Sequence, residues 1–172
     1  MGMDVYGVKP KNEKGEYFRN NVWWWRPLWN YCLEMHPAIA GKVEHGHYNS
    51  GDGLNSVDSK KLALFLKKDL DSGKVEQYAK EREVYLDSLP LENCEYCQGT
   101  GIRGDKVGIE NSMPDKELSP EIQALTGRTH GYCNGCSGRG KVKNWQCQYP
   151  FDVENVKQFQ EFLDNCGGFS IC

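Results

Sequence analysis

A short pattern, C-x-x-C-x-G-x-G, occurs twice in the chain: CEYCQGTG over residues 94–101 and CNGCSGRG over residues 133–140. It is the only internal repeat. A C-x-x-C turn brings two sulfurs to one ion. A second such turn completes a tetrahedron of the kind zinc prefers, with zinc–sulfur distances of about 2.3 Å. The glycines have a physical role beside thiolates. A thiolate concentrates negative charge, so backbone N–H groups turn toward it, and the tight turn this needs has a positive φ that glycine adopts without steric cost. Gly99, Gly101, Gly138 and Gly140 stand where two such knuckles would lead away from a metal as hairpin arms. One C-x-x-C alone would also fit a redox pair. Two with identical glycine trailers point to metal: one structural zinc ion on Cys94, Cys97, Cys133 and Cys136. A reduced dithiol pair or a disulfide is the competing reading. A site closed by four sulfurs leaves no position for water or substrate, so it is expected to staple rather than catalyse.

Eight cysteines would also fit a secreted disulfide scaffold. The first residues, MGMDVYGVKPKNEKGEY, contain no apolar run, so no signal peptide is expected, and no stretch approaches the length needed to span a membrane. Paired C-x-x-C spacing then fits metal in a reducing cytoplasm. A hydrophobic content of 38% with 12% aromatics supplies a core, while a mean hydropathy of −0.71 requires a strongly polar surface. The formal charge is −3, and zinc on four thiolates would take it to about −5. That sign disfavours long nucleic acid, whose affinity comes mostly from phosphate neutralisation. Lys106, Arg128, Arg139, Lys141 and Lys143 flank the repeats. They read as a solvated face, with a local basic patch as the alternative.

The remaining chain is mostly helical by pattern. Trp25, Leu28, Trp29 and Cys32 recur at one helical face, with Pro27 expected in the first turn and Pro37 ending the helix. Leu62, Phe65, Leu66 and Leu70 mark a helix capped by Asn55 or Ser56 and stopped at Gly73. Val75, Tyr78, Tyr85, Leu86 and Leu89 mark the apolar side of a second, closed by Pro90. Within the spacer, SPEIQALTG reads as a short helix capped by Ser119 and ended by Gly127. The clearest helix follows Asp152, with Val156, Phe159, Phe162, Leu163 and Cys166 as its stripe and Gly167-Gly168 as its stop. Residues 1–22 read as polar with one short strand at MDVYGV, which the terminal FSIC is expected to pair with.

The repeat resembles the cysteine-rich zinc domain of DnaJ-type chaperones. That family uses four such repeats to make two zinc sites, so two repeats imply one site, over about 47 residues whose spacer is unlike the family's. The resemblance transfers zinc ligation to Cys94, Cys97, Cys133 and Cys136. It does not transfer co-chaperone function: the His-Pro-Asp tripeptide of a J-domain is absent, and His36, Pro37 and Ala38 stand instead. The segments MDVYG, GEYFRNNVWWWRPL and FLDNCGGFSIC resemble a family of small uncharacterised proteins of bacteriophages and bacterial genomes. That resemblance implies an accessory protein of the bacterial host cytoplasm and brings no known activity.

Two further segments are candidate sites. Arg19, Trp23, Trp24, Trp25 and Arg26 could sandwich a flat ligand by stacking and cation–π contact. The alternative is an aromatic core with arginines on its rim. Three consecutive tryptophans cannot share one direction, so at least one is expected at a surface. The loop HGHYNSGDGLN offers His45, His47, Asn49, Asp52 and Asn55. It lacks the glutamate that closes a calcium loop, and a turn with Asp and Asn bonding the backbone is the expectation. Cys32 and Cys166 fall on apolar stripes and read as core; Cys147 and Cys172 share no motif. No Gly-rich phosphate loop, serine elbow or metalloprotease pair is present, so an enzymatic reading has no residue to attach to.

The sequence thus predicts an α+β, mainly helical small domain interrupted by a zinc-knuckle β-hairpin module. Its expected segments are an aromatic-rich body (1–92), the zinc module (93–143), and a C-terminal helix and tail that pack back on the body (144–172). The expected function is non-enzymatic binding of a host protein partner. The alternative is binding of a nucleotide or nucleic-acid strand through the Trp/Arg segment, with no membrane association.

Overall fold

The structure is a computed structural model, and it describes residues 2–172. The architecture is mixed α+β and mainly helical. Two compact units are present: one formed by Met1–Asp87 with Gln148–Cys172, the other by Ser88–Cys147.

The first unit is built on a three-stranded antiparallel sheet of order β2-β1-β5, from β1 (Gly2–Gly7), β2 (Tyr17–Asn21) and β5 (Phe169–Ile171). The expected pairing of the terminal strand with the first is present, in the register Val5↔Ile171 and Tyr6↔Ser170. On β1, Met3 and Val5 point inward and are buried, while Asp4 and Tyr6 alternate outward. β2 was not expected, because residues 1–22 read as polar apart from MDVYGV. Its inward positions are Phe18 and Asn20, so a polar residue breaks the apolar alternation. Asn20 is accommodated because its amide donates to Asn155 Oδ1 at 2.7 Å.

Helix α1 (Val22–Met35) follows β2 directly. Asn21 ends the strand and caps the helix, its side chain accepting from Trp23 N and Trp24 N at 3.0 and 3.1 Å. The helix therefore starts earlier than Pro27 predicted, and Pro27 lies inside it. The intrahelical bond Pro27 cannot make is offset by burial: its ring and Trp25, Leu28 and Trp29 on the neighbouring turns are all buried. The short α2 (Pro37–Ala40) starts on Pro37. α3 (Ser56–Asp71) is capped by Asn55, which accepts from Val57 N and Asp58 N at 2.9 Å each. Leu62 and Leu66 of its expected stripe are buried, while Phe65 is partly exposed and stacks on His36. α4 (Lys74–Ser88) buries only Val75, and Tyr85 of its expected apolar side is exposed.

The last helix of the body, α7, spans Val153–Asn165 and packs against α3. Val156, Phe159, Phe162 and Leu163 on its stripe are buried, as is Cys166 just beyond it. Phe159 sits at the centre of an aromatic core, with ring centroids 5.2 Å from Phe18, 5.5 Å from Trp25 and 6.2 Å from Phe169. Trp25 and Trp29 stack at 5.5 Å with planes 7° apart. The loop 41–55 is fastened to this pair. Trp25 Nε1 donates to Gly46 O at 2.7 Å, and a Cβ on Gly46 would lie 2.1 Å from Trp29 Nε1. Glycine is required there by close approach, not by backbone conformation.

The second unit contains strands β3 (Glu92–Asn93) and β4 (Lys141–Val142), paired antiparallel, and helices α5 (Lys106–Glu110) and α6 (Pro120–Thr126). α6 is the expected spacer helix, with Ser119 before it and Gly127 ending it at φ 71°. α5 was not expected; Asp105 caps its single turn by accepting from Gly108 N at 2.8 Å.

Candidate metal centre

β3 leads into the first knuckle and β4 leads out of the second. Cys94 N donates to Gly140 O at 2.9 Å, and on the opposite flank Arg103 N donates to Tyr132 O at 3.0 Å. Each knuckle's entering limb thus pairs with the other's leaving limb, and the two repeats face one another. The local conformations match residue for residue. Gln98 and Ser137 have φ 53°, Gly99 and Gly138 have φ 89° and 81°, and Gly101 and Gly140 have φ 77° and 80°. Gly101 N donates to Cys97 Sγ at 3.2 Å and Gly140 N donates to Cys136 Sγ at 3.1 Å. These are the amide-to-sulfur bonds for which the trailing glycines are suited.

The second glycine of each repeat has an additional reason to lack a side chain. A Cβ on Gly101 would stand 2.4 Å from Gly138 O, and one on Gly140 would stand 2.3 Å from Gly99 O. Each knuckle's last glycine therefore lies against the carbonyl of the other knuckle's first. Glycine here serves the contact between the repeats as well as the turn within each.

The four sulfurs meet in this contact. All four cysteines are buried, and their Sγ atoms all lie within 4.8 Å of one another. Cys94 Sγ is 3.8 Å from Cys133 Sγ, and Cys97 Sγ is 3.8 Å from Cys136 Sγ. A tetrahedron with metal–sulfur bonds of about 2.3 Å has edges of about 3.8 Å. The donor set and its spacing therefore fit one metal ion. They do not fit disulfides, whose sulfurs lie about 2.0 Å apart, and all eight cysteines are free. Among the described residues this is the one cluster of three or more Cys, His or carboxylate ligands close enough to share an ion.

The thiols are electrostatically unequal. Burial raises the Cys97 thiol, but N–H donors from Gly101 and Gly99, with neighbouring thiols, bring it down to about 7. Burial pushes Cys136 up to about 12 despite the Gly140 N–H, and raises Cys133 as well. Burial is the leading influence on each of the three, and neighbouring thiols lower Cys97 while they raise Cys136, so the sulfurs do not give up protons alike. A divalent cation favours the thiolate form of all four.

Two arginines brace the knuckles, Arg103 across the pair and Arg128 within the second, and pattern reading missed both as structural parts. Arg103 is buried, forks onto the Asp105 carboxylate at 2.9 and 3.0 Å, and donates to Asn134 Oδ1 at 2.8 Å. It also lies over the Tyr96 ring at 4.5 Å. It thus ties the limb leaving the first knuckle to the interior of the second. Arg128 donates to Gly131 O at 2.9 Å and to Gly138 O at 2.5 Å. Of the five basic residues flanking the repeats, Arg128 is therefore turned inward, and Lys106 pairs with Glu110 at 3.9 Å. Arg139, Lys141 and Lys143 line an open groove of this unit.

The Trp/Arg segment is distributed differently. Trp25 is fully buried in the body's core, and Trp24 is partly buried. Trp23 is 41% exposed and packs on Tyr149 at 4.9 Å, and Arg26 donates to the Tyr149 hydroxyl at 3.0 Å. Arg19 lies on β2, with Asp4 at 4.0 Å. Trp23 and Arg26 converge on one ring, while Trp25 and Arg19 lie elsewhere. In the histidine loop, Asp52 accepts from His45 N at 2.9 Å and Gly53 N at 2.7 Å. This is the expected turn. Cys32 and Cys166 are core residues, Cys147 is half-buried and Cys172 exposed. No helix is long and apolar enough to cross a membrane among the described residues.

No protein-family model matches the chain, and comparison with curated proteins and with solved structures finds no match.

Proposed function

We propose that the chain is a zinc-stabilised, non-enzymatic binding protein, in which one structural zinc ion on Cys94, Cys97, Cys133 and Cys136 organises a module that meets a protein partner. The single observation carrying this reading is the four-sulfur cluster with tetrahedral edge lengths. Thiolates select zinc among the abundant divalent ions, since magnesium and calcium take oxygen ligands. Four protein ligands complete the coordination sphere, which leaves the ion a structural role. The partner reading is supported by apolar side chains that the module leaves in water: Leu91, Tyr96, Ile109 and Leu125 are each more than half exposed. The likeness of the repeats to DnaJ-type zinc domains supports the metal and not a chaperone activity. As part of the same proposal, we infer a partner in a bacterial host cytoplasm, a reading that rests on the resemblance of the flanking segments to small phage and bacterial proteins.

The metal is tested by elemental analysis of purified protein, which should find one zinc per chain. Cys133→Ser should lose it and broaden the amide spectrum of residues 94–140 while the spectrum of the helical body persists. Undiminished zinc in that variant would overturn the assignment. The partner arm is tested by recovery from bacterial lysate. Zinc-loaded wild type should retain a specific protein that Cys133→Ser does not, and identical eluates would count against it.

A further inference from the structure

The module's groove is lined by two kinds of side chain. Leu91, Leu125 and Val142 are apolar, and Leu91 and Leu125 stand 59% and 67% exposed. Arg139, Lys141 and Lys143 are cationic. The groove encloses about 630 Å³, within the range of about 300–1,000 Å³ typical of ligand sites. No carboxylate lines it. Lys141 Nζ donates to Asn93 Oδ1 at 2.6 Å, a neutral partner, and among the described residues none of the three cations forms an ion pair. Elsewhere the module does pair its charges: Arg103 with Asp105 and Lys106 with Glu110. The unit Ser88–Cys147 carries seven Asp and Glu and seven Lys and Arg, so the absence of carboxylates from this lining is a local segregation, not a reflection of composition; Glu117 and Glu121 line a neighbouring cleft that Arg139 also borders.

We propose that this groove docks an acidic peptide segment that carries a bulky aliphatic side chain, the apolar chain between Leu91 and Leu125 and its flanking carboxylates on Arg139, Lys141 and Lys143. Charge complementarity selects the acidic partner, because like charge across such a contact is repelled and opposite charge steers it in. The choice of peptide over nucleic acid follows from the lining. Single strands are held by bases stacked on aromatic rings, and no aromatic ring lines this groove. The neighbouring metal makes the wall rigid: Cys136, a ligand, is itself a lining residue. A preformed wall binds at lower entropic cost than one ordered on contact. This inference rests on the partner-binding role proposed above and gives that partner a chemistry.

The test uses the full chain loaded with zinc and three labelled probes of about ten units each, a length that spans such a groove in extended form. One is a peptide with glutamates flanking a central pair of leucines. The second has serines in place of the leucines, and the third is oligodeoxythymidylate. Fluorescence anisotropy should show binding of the first, weakened at least tenfold in the second and in the Lys141→Glu/Lys143→Glu protein. Leu125→Ser, an exposed change outside the knuckles, should weaken it independently. Raising salt from about 50 to 500 mM should weaken it further, as screening of exposed charges requires. Binding that ignores the charge reversals, or tighter binding of the oligonucleotide, would overturn the proposal. Full zinc occupancy with no peptide binding would discard this inference and keep the metal. Folded protein without metal that still binds the acidic peptide through Lys141 and Lys143 would keep this inference and discard the zinc.

Discussion

Gly140→Ala tests the contact between the two knuckles most directly. Three costs follow from the structure. Gly140 has φ 80°, a left-handed conformation that costs a residue with a Cβ about 1–2 kcal/mol. The new Cβ would stand 2.3 Å from Gly99 O and 3.1 Å from Gly99 C, both backbone atoms, so the limb must withdraw by roughly 1 Å to reach van der Waals contact. That withdrawal draws Gly140 N away from Cys136 Sγ, now at 3.1 Å, and a hydrogen bond to a charged group contributes about 1.5–3 kcal/mol. The sum is roughly 3–5 kcal/mol, or about two to four decades of zinc affinity. The assay is competition for zinc against a chromogenic chelator at pH 7.5. Gly127→Ala is the internal control. It shares the left-handed backbone, at φ 71°, but its Cβ would meet nothing within 4 Å, so it should show the conformational cost alone, about one decade of zinc affinity at most. A Gly140→Ala chain that holds zinc within twofold of wild type would refute the argument that the knuckles need glycine to touch.

Gly46→Ala should destabilise the body by about 1–3 kcal/mol, since its Cβ overpacks the Trp29 ring; a urea midpoint within error of wild type would contradict this. Stability should also fall with pH through His47. Burial, and then the charge of Arg26, lower the pKa of that imidazole, and its Nδ1 is buried without a partner. The native state thus resists a proton that the unfolded chain accepts below about pH 6.5. The stabilisation present above that value is lost progressively as pH drops toward the lowered native value. Denaturant midpoints at pH 7.5 and 5.5 should differ less in His47→Gln than in wild type; an equal drop would assign the effect elsewhere. Asn55→Ala should cost about 0.5–2 kcal/mol through loss of the α3 cap, read as a shift in the thermal transition, and no shift would mean the end of α3 is held by other contacts.

What pattern could and could not reveal follows from the range of the interactions. α7 was legible because its stripe, cap and stop are local, and Phe159, Phe162 and Leu163 are buried as their spacing requires. The knuckles were legible for the same reason, since each is a self-contained turn. β2 was not, because Asn20 faces inward and is satisfied by Asn155, far away in sequence. The start of α1 was misplaced because Pro27 is a strong local signal, and what offsets it is core burial. α4 misled in the other direction: its apolar residues repeat at helical spacing, yet Tyr85 remains exposed and only Val75 is buried. Arg103 and Arg128 look like surface cations in a string of letters. Arg103 depends on the Asn134 amide oxygen of the opposite repeat and Arg128 on the Gly138 carbonyl of the repeat that follows it, relations that no local period encodes. The groove was hidden likewise, since Leu91, Leu125 and Lys143 come together only after the repeats have paired.

The order of the strands has a consequence for how the chain emerges from a ribosome. β1 occupies the middle of its sheet, and one of its two neighbours, β5, lies beyond α7 and beyond the whole of the second unit. During translation the body must wait with one flank of β1 unclothed until Phe169–Ile171 is made. The four clustered cysteines, by contrast, are all available once residue 136 has been added. The nascent polypeptide therefore has every part of its sulfur cluster in hand before the older unit has the pieces to finish.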